Sequence, residues 1–157
     1  MVDTPPIKRH PVFQPLSREH MGGLVQARNL IAAADSGESA RERAVAEFGR
    51  AWSRELGPHF FDEERMMAGV VSEQDLRRLH AEHDKIRDIA AAVIAGPAKS
   101  QELRKLGTLL HNHIRWEERH LFAVAEQTAS PEDFKTLERR AAEIETERLG
   151  SRARRRL

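Results

Sequence analysis

Six residues that can bind metal ions fall on the apolar faces of four successive predicted helices: His20, His59, Glu63, His83, His113 and Glu117. A buried histidine or glutamate is costly unless a hydrogen bond, an opposite charge or a metal ion satisfies it. One core histidine is usually satisfied by a single hydrogen bond to a neighbour. Six such residues at one level of a bundle are satisfied together by a pair of metal ions, so the pattern predicts a metal site.

The spacing of these residues supports a shared site. The pattern His-x-x-x-Glu occurs twice, as His59/Glu63 and His113/Glu117, and residues four apart lie on one face of a helix. The spacing arises readily by chance, but both pairs interrupt stripes of Leu, Met, Val and Trp. Two carboxylates can each bridge two ions, and four histidines then divide two to each ion. We therefore predict a dinuclear site with room for solvent or a small ligand.

The composition narrows the choice of metal. The 157 residues include no Cys, which excludes disulfides, thiolate zinc sites and cysteine-ligated iron–sulfur clusters. Imidazole and carboxylate ligands suit iron, manganese or zinc rather than copper(I). We predict two iron ions, with zinc or manganese as substitutes.

The apolar residues repeat with helical periodicity, and no stretch alternates with the period of a strand. Four prolines predict an extended lead-in over residues 1–16, after which Ser17 is the predicted N-cap of the first helix. Gly57-Pro58 predicts either a kink in the second helix or a new start. Ser72 is the predicted cap of the third helix.

The predicted fold is all-α, an up-down-up-down four-helix bundle with a short fifth C-terminal helix. The bundle covers residues 17–128, and its fourth helix is predicted to turn His120 and Val124 inward. Residues 130–149 form the accessory helix, which could cap the bundle or form a homodimer contact. Residues 150–157 form a basic tail.

Charge and hydropathy limit the partners. Five arginines near the C-terminus balance a mildly acidic body: Arg148, Arg152, Arg154, Arg155 and Arg156. Because no aromatic residues accompany them, we expect a solvated terminus and no nucleic-acid partner. The start of the chain lacks the apolar core of a signal peptide, and the longest uncharged stretch, residues 89–98, is too short to span a bilayer. We expect a cytoplasmic protein without a membrane partner.

Other polar residues are open to alternative interpretations. A ferritin-like di-iron bundle needs two Glu-x-x-His motifs, and only Glu117/His120 has that spacing. His80 and His120 are candidates for an additional ligand or for a hydrogen-bonding role beside the ligands. His80 could instead pair with Asp84, and His120 could lie on the surface. Glu64 and Glu118 follow the bridging candidates by one position, so they are predicted to lie on the helix surface.

Four segments resemble the hemerythrin-like, or HHE cation-binding, family: "REH" at 18–20, "PHFFDEE" at 58–64, "HAEHDKI" at 80–86 and "HNHIRWEERHLF" at 111–122. The resemblance covers roughly residues 16–128. It implies terminal ligands and bridging carboxylates, assigned respectively to His20, His59, His83 and His113, and to Glu63 and Glu117. Oxygen-carrying members place two histidines four apart on the third helix, whereas His80 and His83 are three apart.

The resemblance implies binding of oxygen or another diatomic, or sensing of oxygen, iron or redox state. No general base or nucleophile stands apart from the candidate ligands, which favours binding over turnover. The alternatives are a di-iron redox enzyme acting on oxygen, peroxide or nitric oxide, and a metal-free helical scaffold.

Overall fold

The computed structural model describes residues 8–156, which form five helices joined by short turns and include no strand. The helices are α1 (Gln14–Ala34), α2 (Glu38–Ala51, Trp52–Leu56 and Gly57–Met67), α3 (Glu73–Ala95), α4 (Ser100–Trp116, Glu117–Leu121 and Phe122–Thr128) and α5 (Pro131–Arg155). Each of the first three helices packs against the next, α4 closes the ring against α1, and α5 packs against α2. The predicted all-α four-helix bundle with a C-terminal helix is confirmed.

Side-chain caps begin two of the helices, as their sequences predict. The Ser72 hydroxyl accepts a hydrogen bond of 3.1 Å from the backbone N–H of Asp75 at the start of α3. At the start of α5, Ser130 and Asp133 each accept a bond of 3.0 Å from the backbone N–H of the other. These bonds satisfy N–H groups that have no partner within the helix.

The first helix begins earlier than its sequence predicts. A 3-10 turn, Pro11–Phe13, leads directly into α1 at Gln14, so Ser17 lies inside the helix and its assignment as the N-cap is wrong. Pro15 is compatible with this start because the first turn of a helix needs no N–H donor. The first seven residues of the predicted lead-in lie outside the described residues.

A π-helical turn, Trp52–Leu56, lets α2 continue through Gly57-Pro58. The N–H of Gly57 bonds to the carbonyl of Trp52, five residues earlier. A Cβ atom on Gly57 would lie 3.0 Å from that carbonyl oxygen, which is a tight contact, so the turn favours a residue without a side chain. The wider turn accommodates Pro58, which lacks an N–H and would crowd an α-helical carbonyl.

A second π-helical turn, Glu117–Leu121, changes the inward face of α4. The turn adds one residue to the helical repeat. Leu121 and Ala125 are therefore buried, whereas the His120 side chain is 48% exposed and Val124 is only half-buried. The prediction that His120 and Val124 face the core is wrong for this reason.

The bundle core consists of two apolar clusters with a polar layer between them. The first cluster includes Leu30, Phe60 and Leu110, and the second includes Met66 and Phe122. In each of α1 to α4, the predicted metal ligands lie between residues of the first cluster and residues of the second. Over residues 8–156, no helix is both long enough and apolar enough to cross a membrane.

Helix α5 packs against the bundle of its own chain. Leu137 is fully buried in the second cluster, and the Arg140 guanidinium donates to the carbonyls of Met66 at 3.0 Å and Ala68 at 2.7 Å. The helix continues to Arg155, so most of the predicted basic tail is helical; Leu157 lies outside the described residues. The homodimer contact stays a prediction.

Candidate metal centre

All six predicted metal ligands meet in the polar layer, and none is more than 3% exposed. They form two overlapping groups whose donor atoms lie within 4.8 Å of one another. The first group contains His20 and His59, and the second contains His83 and His113. Both groups share the inner carboxylates, Glu63 and Glu117.

Glu63 directs one carboxylate oxygen toward each group. Its Oε1 atom lies 2.9 Å from Nε2 of His20 and 2.9 Å from Nε2 of His59. Its Oε2 atom lies 3.2 Å from Nε2 of His83 in the second group. The two oxygens of this carboxylate therefore serve different halves of the site.

Glu117 has the complementary arrangement. Its Oε1 atom lies 2.6 Å from Nε2 of His113 and 3.3 Å from Nε2 of His83. Its Oε2 atom lies 3.0 Å from Nε2 of His20. Two carboxylates that each face both groups have the disposition needed to bridge two ions.

Some donor atoms of the cluster have a hydrogen-bond partner and others have none. Nε2 of His20 bonds to Glu63 at 2.9 Å and Nε2 of His83 bonds to Glu117 at 3.3 Å. Nε2 of His59 and His113 and Oε2 of Glu63 and Glu117 are buried and make no hydrogen bond of acceptable geometry, despite the short separations. Nitrogen and oxygen ligands about 2.1 Å from a common ion lie about 3 Å apart. The separations of 2.6 to 3.3 Å between the imidazole nitrogens and the inner carboxylate oxygens are close to that value, so these atoms could share an ion.

Four outer glutamates hold the remaining nitrogen of each histidine. Because a carboxylate only accepts, each Nδ1 carries the proton and Nε2 is left to face the inner carboxylates. This arrangement fixes the orientation of every imidazole before any ligand binds. The bonds join His20 to Glu118 at 2.7 Å, His59 to Glu19 at 3.3 Å, His83 to Glu64 at 2.8 Å and His113 to Glu82 at 3.1 Å.

The prediction that Glu64 and Glu118 lie on the helix surface is wrong. Their side chains are 13% and 18% exposed and reach histidines on neighbouring helices. One position along a helix turns a residue by about 100°, which moves these side chains off the inner face but leaves them beside the adjacent helix. The long glutamate side chain spans the remaining distance.

The outer glutamates reveal a repeat that was not recognised in the sequence. Helices α1 and α3 each carry Glu-His, at 19–20 and 82–83, and helices α2 and α4 each carry His-x-x-x-Glu-Glu, at 59–64 and 113–118. The glutamate before the histidine holds the histidine of the next helix in both halves. The second glutamate of the pair holds the histidine of α3 or α1. The paired motif was the available signal.

The close packing of charges shifts the pKa values of the cluster. Burial lowers the pKa of His59, but the negative charge of Glu63 at 2.9 Å and the hydrogen bond to Glu19 outweigh it and raise this pKa to about 9. Burial likewise opposes ionisation of His83, yet bonds to three glutamates raise its pKa to about 10. Burial raises the pKa of Glu63, but the facing histidines hold it well below its usual value. Without metal, His59 and His83 are therefore imidazolium cations at neutral pH, with a proton on both ring nitrogens.

Aromatic rings support the ligands from the apolar side. The Phe60 ring stacks on His83 with centroids 4.0 Å apart and planes 5° from parallel. Phe122 stacks on His20 at 5.4 Å and 13°. These contacts restrict rotation of the imidazoles about the side-chain bonds.

His80 and His120 lie outside the cluster. The His80 side chain is 49% exposed, and its Nδ1 is 3.7 Å from Glu64 Oε1. His120 is bonded to Asp75 at 3.0 Å. Among residues 8–156, the structure therefore brings together four histidines and two glutamates, and His80 and His120 stay outside this group.

Comparison with known proteins agrees with this geometry. The family model of the hemerythrin HHE cation-binding domain matches residues 13–125, which include all six predicted ligands. No curated protein and no solved structure gives a significant match. The chain belongs to the hemerythrin HHE cation-binding domain family.

Proposed function

We propose that this protein is a non-haem di-iron protein that binds or senses oxygen, another diatomic molecule, or iron and redox state. One observation carries the proposal: four imidazole Nε2 atoms converge on two shared, fully buried carboxylates. His20 and His59 would hold one ion and His83 and His113 the other, with Glu63 and Glu117 between them. An iron pair supplies redox-active coordination positions for a small ligand.

The donor set supports two ions and open coordination positions. Two imidazole nitrogens and two carboxylate oxygens supply four donors to each position, whereas iron commonly takes up to about six ligands. Two inner carboxylates also leave part of the charge of two divalent cations uncompensated. Both features favour an additional small ligand.

Iron is proposed on the chemistry of the donors. Nitrogen and oxygen ligands also suit zinc and manganese, and affinity alone does not select iron over these metals. Zinc or manganese could therefore occupy the same positions when the protein is overproduced. Metal analysis should accompany every functional measurement.

The surroundings of the centre support binding rather than turnover. Each outer glutamate accepts a hydrogen bond from a histidine, and each is also paired with an arginine: Arg9 with Glu118, Arg148 with Glu19, Arg87 with Glu64 and Arg78 with Glu82. These carboxylates are therefore engaged rather than available as general bases. Reversible titration of the iron-loaded protein with oxygen or nitric oxide would support binding, whereas steady consumption of oxygen, peroxide or nitric oxide would favour an enzyme.

The first test is the metal content per chain after anaerobic iron loading. We expect about two irons in the parent protein and almost none in a Glu63→Ala, Glu117→Ala double variant. A control with two exposed carboxylates removed, Glu42→Ala and Asp88→Ala, should retain the parental metal content. A parent protein without bound iron would contradict the proposal and leave a helical interaction module.

Sensing would also require a partner that receives the signal. A second copy of the chain, bound through α5, is one such partner. The apolar side chain of Leu149 on this helix is 57% exposed and is available for such a contact. Gel filtration with and without iron tests this part of the proposal. A monomer at all concentrations in both states would contradict the homodimer without affecting the metal site.

A further inference from the structure

Each predicted histidine ligand is connected to an arginine through its outer glutamate. The four connections are His20–Glu118–Arg9, His59–Glu19–Arg148, His83–Glu64–Arg87 and His113–Glu82–Arg78. The arginine neutralises a carboxylate that would otherwise be partly buried without a full counter-charge. It also restrains the carboxylate that orients the imidazole.

The two groups of the centre differ in the origin of these arginines. Arg78 and Arg87, which serve the second group, both lie on α3, inside the residues matched by the family model. Arg9 and Arg148, which serve the first group, lie on opposite sides of the matched range, residues 13–125. Among the described residues, the segments that flank the family domain therefore supply arginines to only one half of the site.

Arg148 joins α5 to both α1 and α2. Its Nη1 donates to Glu19 Oε2 at 2.9 Å, and its Nε donates to Asp62 Oδ2 at 2.9 Å. His59 uses the other oxygen of the same carboxylate, Glu19 Oε1, at 3.3 Å. The main contact of Arg148 and the histidine contact thus occupy different oxygens, so the arginine restrains Glu19 without displacing His59.

We propose that Arg148 is a positioning residue for the metal position formed by His20 and His59, and that docking of α5 thereby sets the occupancy of this position alone. The inference rests on the proposed function, because it requires that the two groups bind ions. The second position, supported from α3, does not depend on α5. The two positions then differ in their affinity for iron although their inner ligands are equivalent.

The expected effect follows from the role of the outer glutamate. Without Arg148, the Glu19 carboxylate can turn toward solvent, and the His59 ring loses the acceptor that fixes its orientation. Removing the direct partner of a metal-binding histidine typically weakens metal affinity about 10- to 100-fold; because Glu19 itself stays in place, we expect a loss at the lower end of this range, about tenfold. We expect this loss at one position and an unchanged affinity at the other.

The test is an anaerobic titration of the metal-free, full-length protein with iron(II), with Arg148→Gln compared with the parent. Arg65→Gln is the matched control: Arg65 also joins α2 to α5, through Glu143 at 3.3 Å and Glu147 at 2.8 Å, but neither glutamate bonds a predicted ligand. Arg148→Gln should bind one iron normally and the second about tenfold more weakly. Arg65→Gln should bind both as the parent does, and Arg148→Lys should recover part of the loss.

A second readout separates positioning from general weakening of the fold. Because coupling between two events is reciprocal, binding of iron should slow amide hydrogen exchange in α5 of the parent, and this protection should be smaller in Arg148→Gln. Anomalous scattering from iron in crystals of the variant should locate the remaining ion beside His83 and His113.

The outcomes distinguish this inference from the proposed function. A parent with two irons and an Arg148→Gln variant with two parental affinities would overturn the role of Arg148 only. Equal weakening of both positions, or the same loss in Arg65→Gln, would also overturn it. A parent that binds no iron would overturn both proposals.

Discussion

Raising the pH should destabilise the metal-free protein, because its buried histidines contribute to stability only while they are protonated. The pKa of His59 is raised to about 9 and that of His83 to about 10, from an ordinary value of 6.5. A group with a raised folded-state pKa contributes its full stabilisation below the unfolded-state pKa and loses it as the pH rises through the folded-state pKa. The loss should therefore occur between pH 6.5 and about 10.

The size of this loss in the free energy of unfolding can be calculated for His59. The difference between an unfolded-state pKa of 6.5 and a folded-state pKa of about 9 corresponds to about 3 kcal/mol. The contributions of the four histidines do not add, because the histidines share the two inner carboxylates. We expect the free energy of unfolding to fall by about 3 kcal/mol or more between pH 6.5 and 9.5.

Urea unfolding of the chelator-treated protein, followed by circular dichroism at several pH values, measures this change. A Glu63→Gln variant should show a weaker pH dependence because His59 loses its charged partner. Glu42→Gln, which removes an exposed carboxylate, should keep the parental dependence. A free energy of unfolding that is constant or rises between pH 6.5 and 9.5 would refute the reasoning, since it would mean that the buried imidazoles are neutral in the folded protein.

Three further predictions follow from the same structure. The apparent affinity for metal should rise about tenfold per pH unit for each imidazolium that must lose its proton. Chelator competition at pH 6, 7 and 8 measures this rise, and an affinity independent of pH would contradict it. Gly107→Ala should destabilise the metal-free protein by about 1–3 kcal/mol in urea unfolding, because the new Cβ would lie 2.7 Å from the Ala27 carbonyl oxygen. A Cβ on Gly150 would meet nothing within 4 Å, so Gly150→Ala should stabilise the protein by about 0.5–1 kcal/mol. A Gly107→Ala variant at least as stable as the parent would contradict the close packing of α1 and α4. Phe60→Ala should cost about 3–5 kcal/mol in the same assay, and the adjacent Phe61→Ala, with a side chain 63% exposed, less than about 1 kcal/mol; comparable losses would contradict the burial of Phe60.

The sequence was sufficient to predict the fold and the set of residues that meet in its core. Each predicted ligand interrupts an apolar stripe, and helical periodicity places such interruptions on inward faces. Ser72 and Ser130 could be recognised because a cap depends only on residues close in sequence. These patterns involve residues that are close in sequence, so they can be recognised in a single sequence.

The features that were missed depend on relations between helices or on the exact count of residues in a turn. Whether Glu64 meets water or His83 depends on the distance between α2 and α3, which periodicity does not contain. The π-helical turn after Trp116 shifts the register by one residue without a distinctive composition, so His120 was assigned to the wrong face. Arg148 was assigned to a charged terminus because its partners, Glu19 and Asp62, are more than 80 residues away.

The repeated arrangement of α1–α2 and α3–α4 has a consequence for assembly. The hairpin of α1 and α2 supplies His20, His59 and Glu63, but the other carboxylate of the first group, Glu117, comes from α4. The second group likewise takes Glu63 from the opposite hairpin. Neither hairpin holds a complete set of donors, so an ion can be captured with full affinity only after the two hairpins have docked. Metal uptake during refolding would then report completed tertiary structure rather than helix formation.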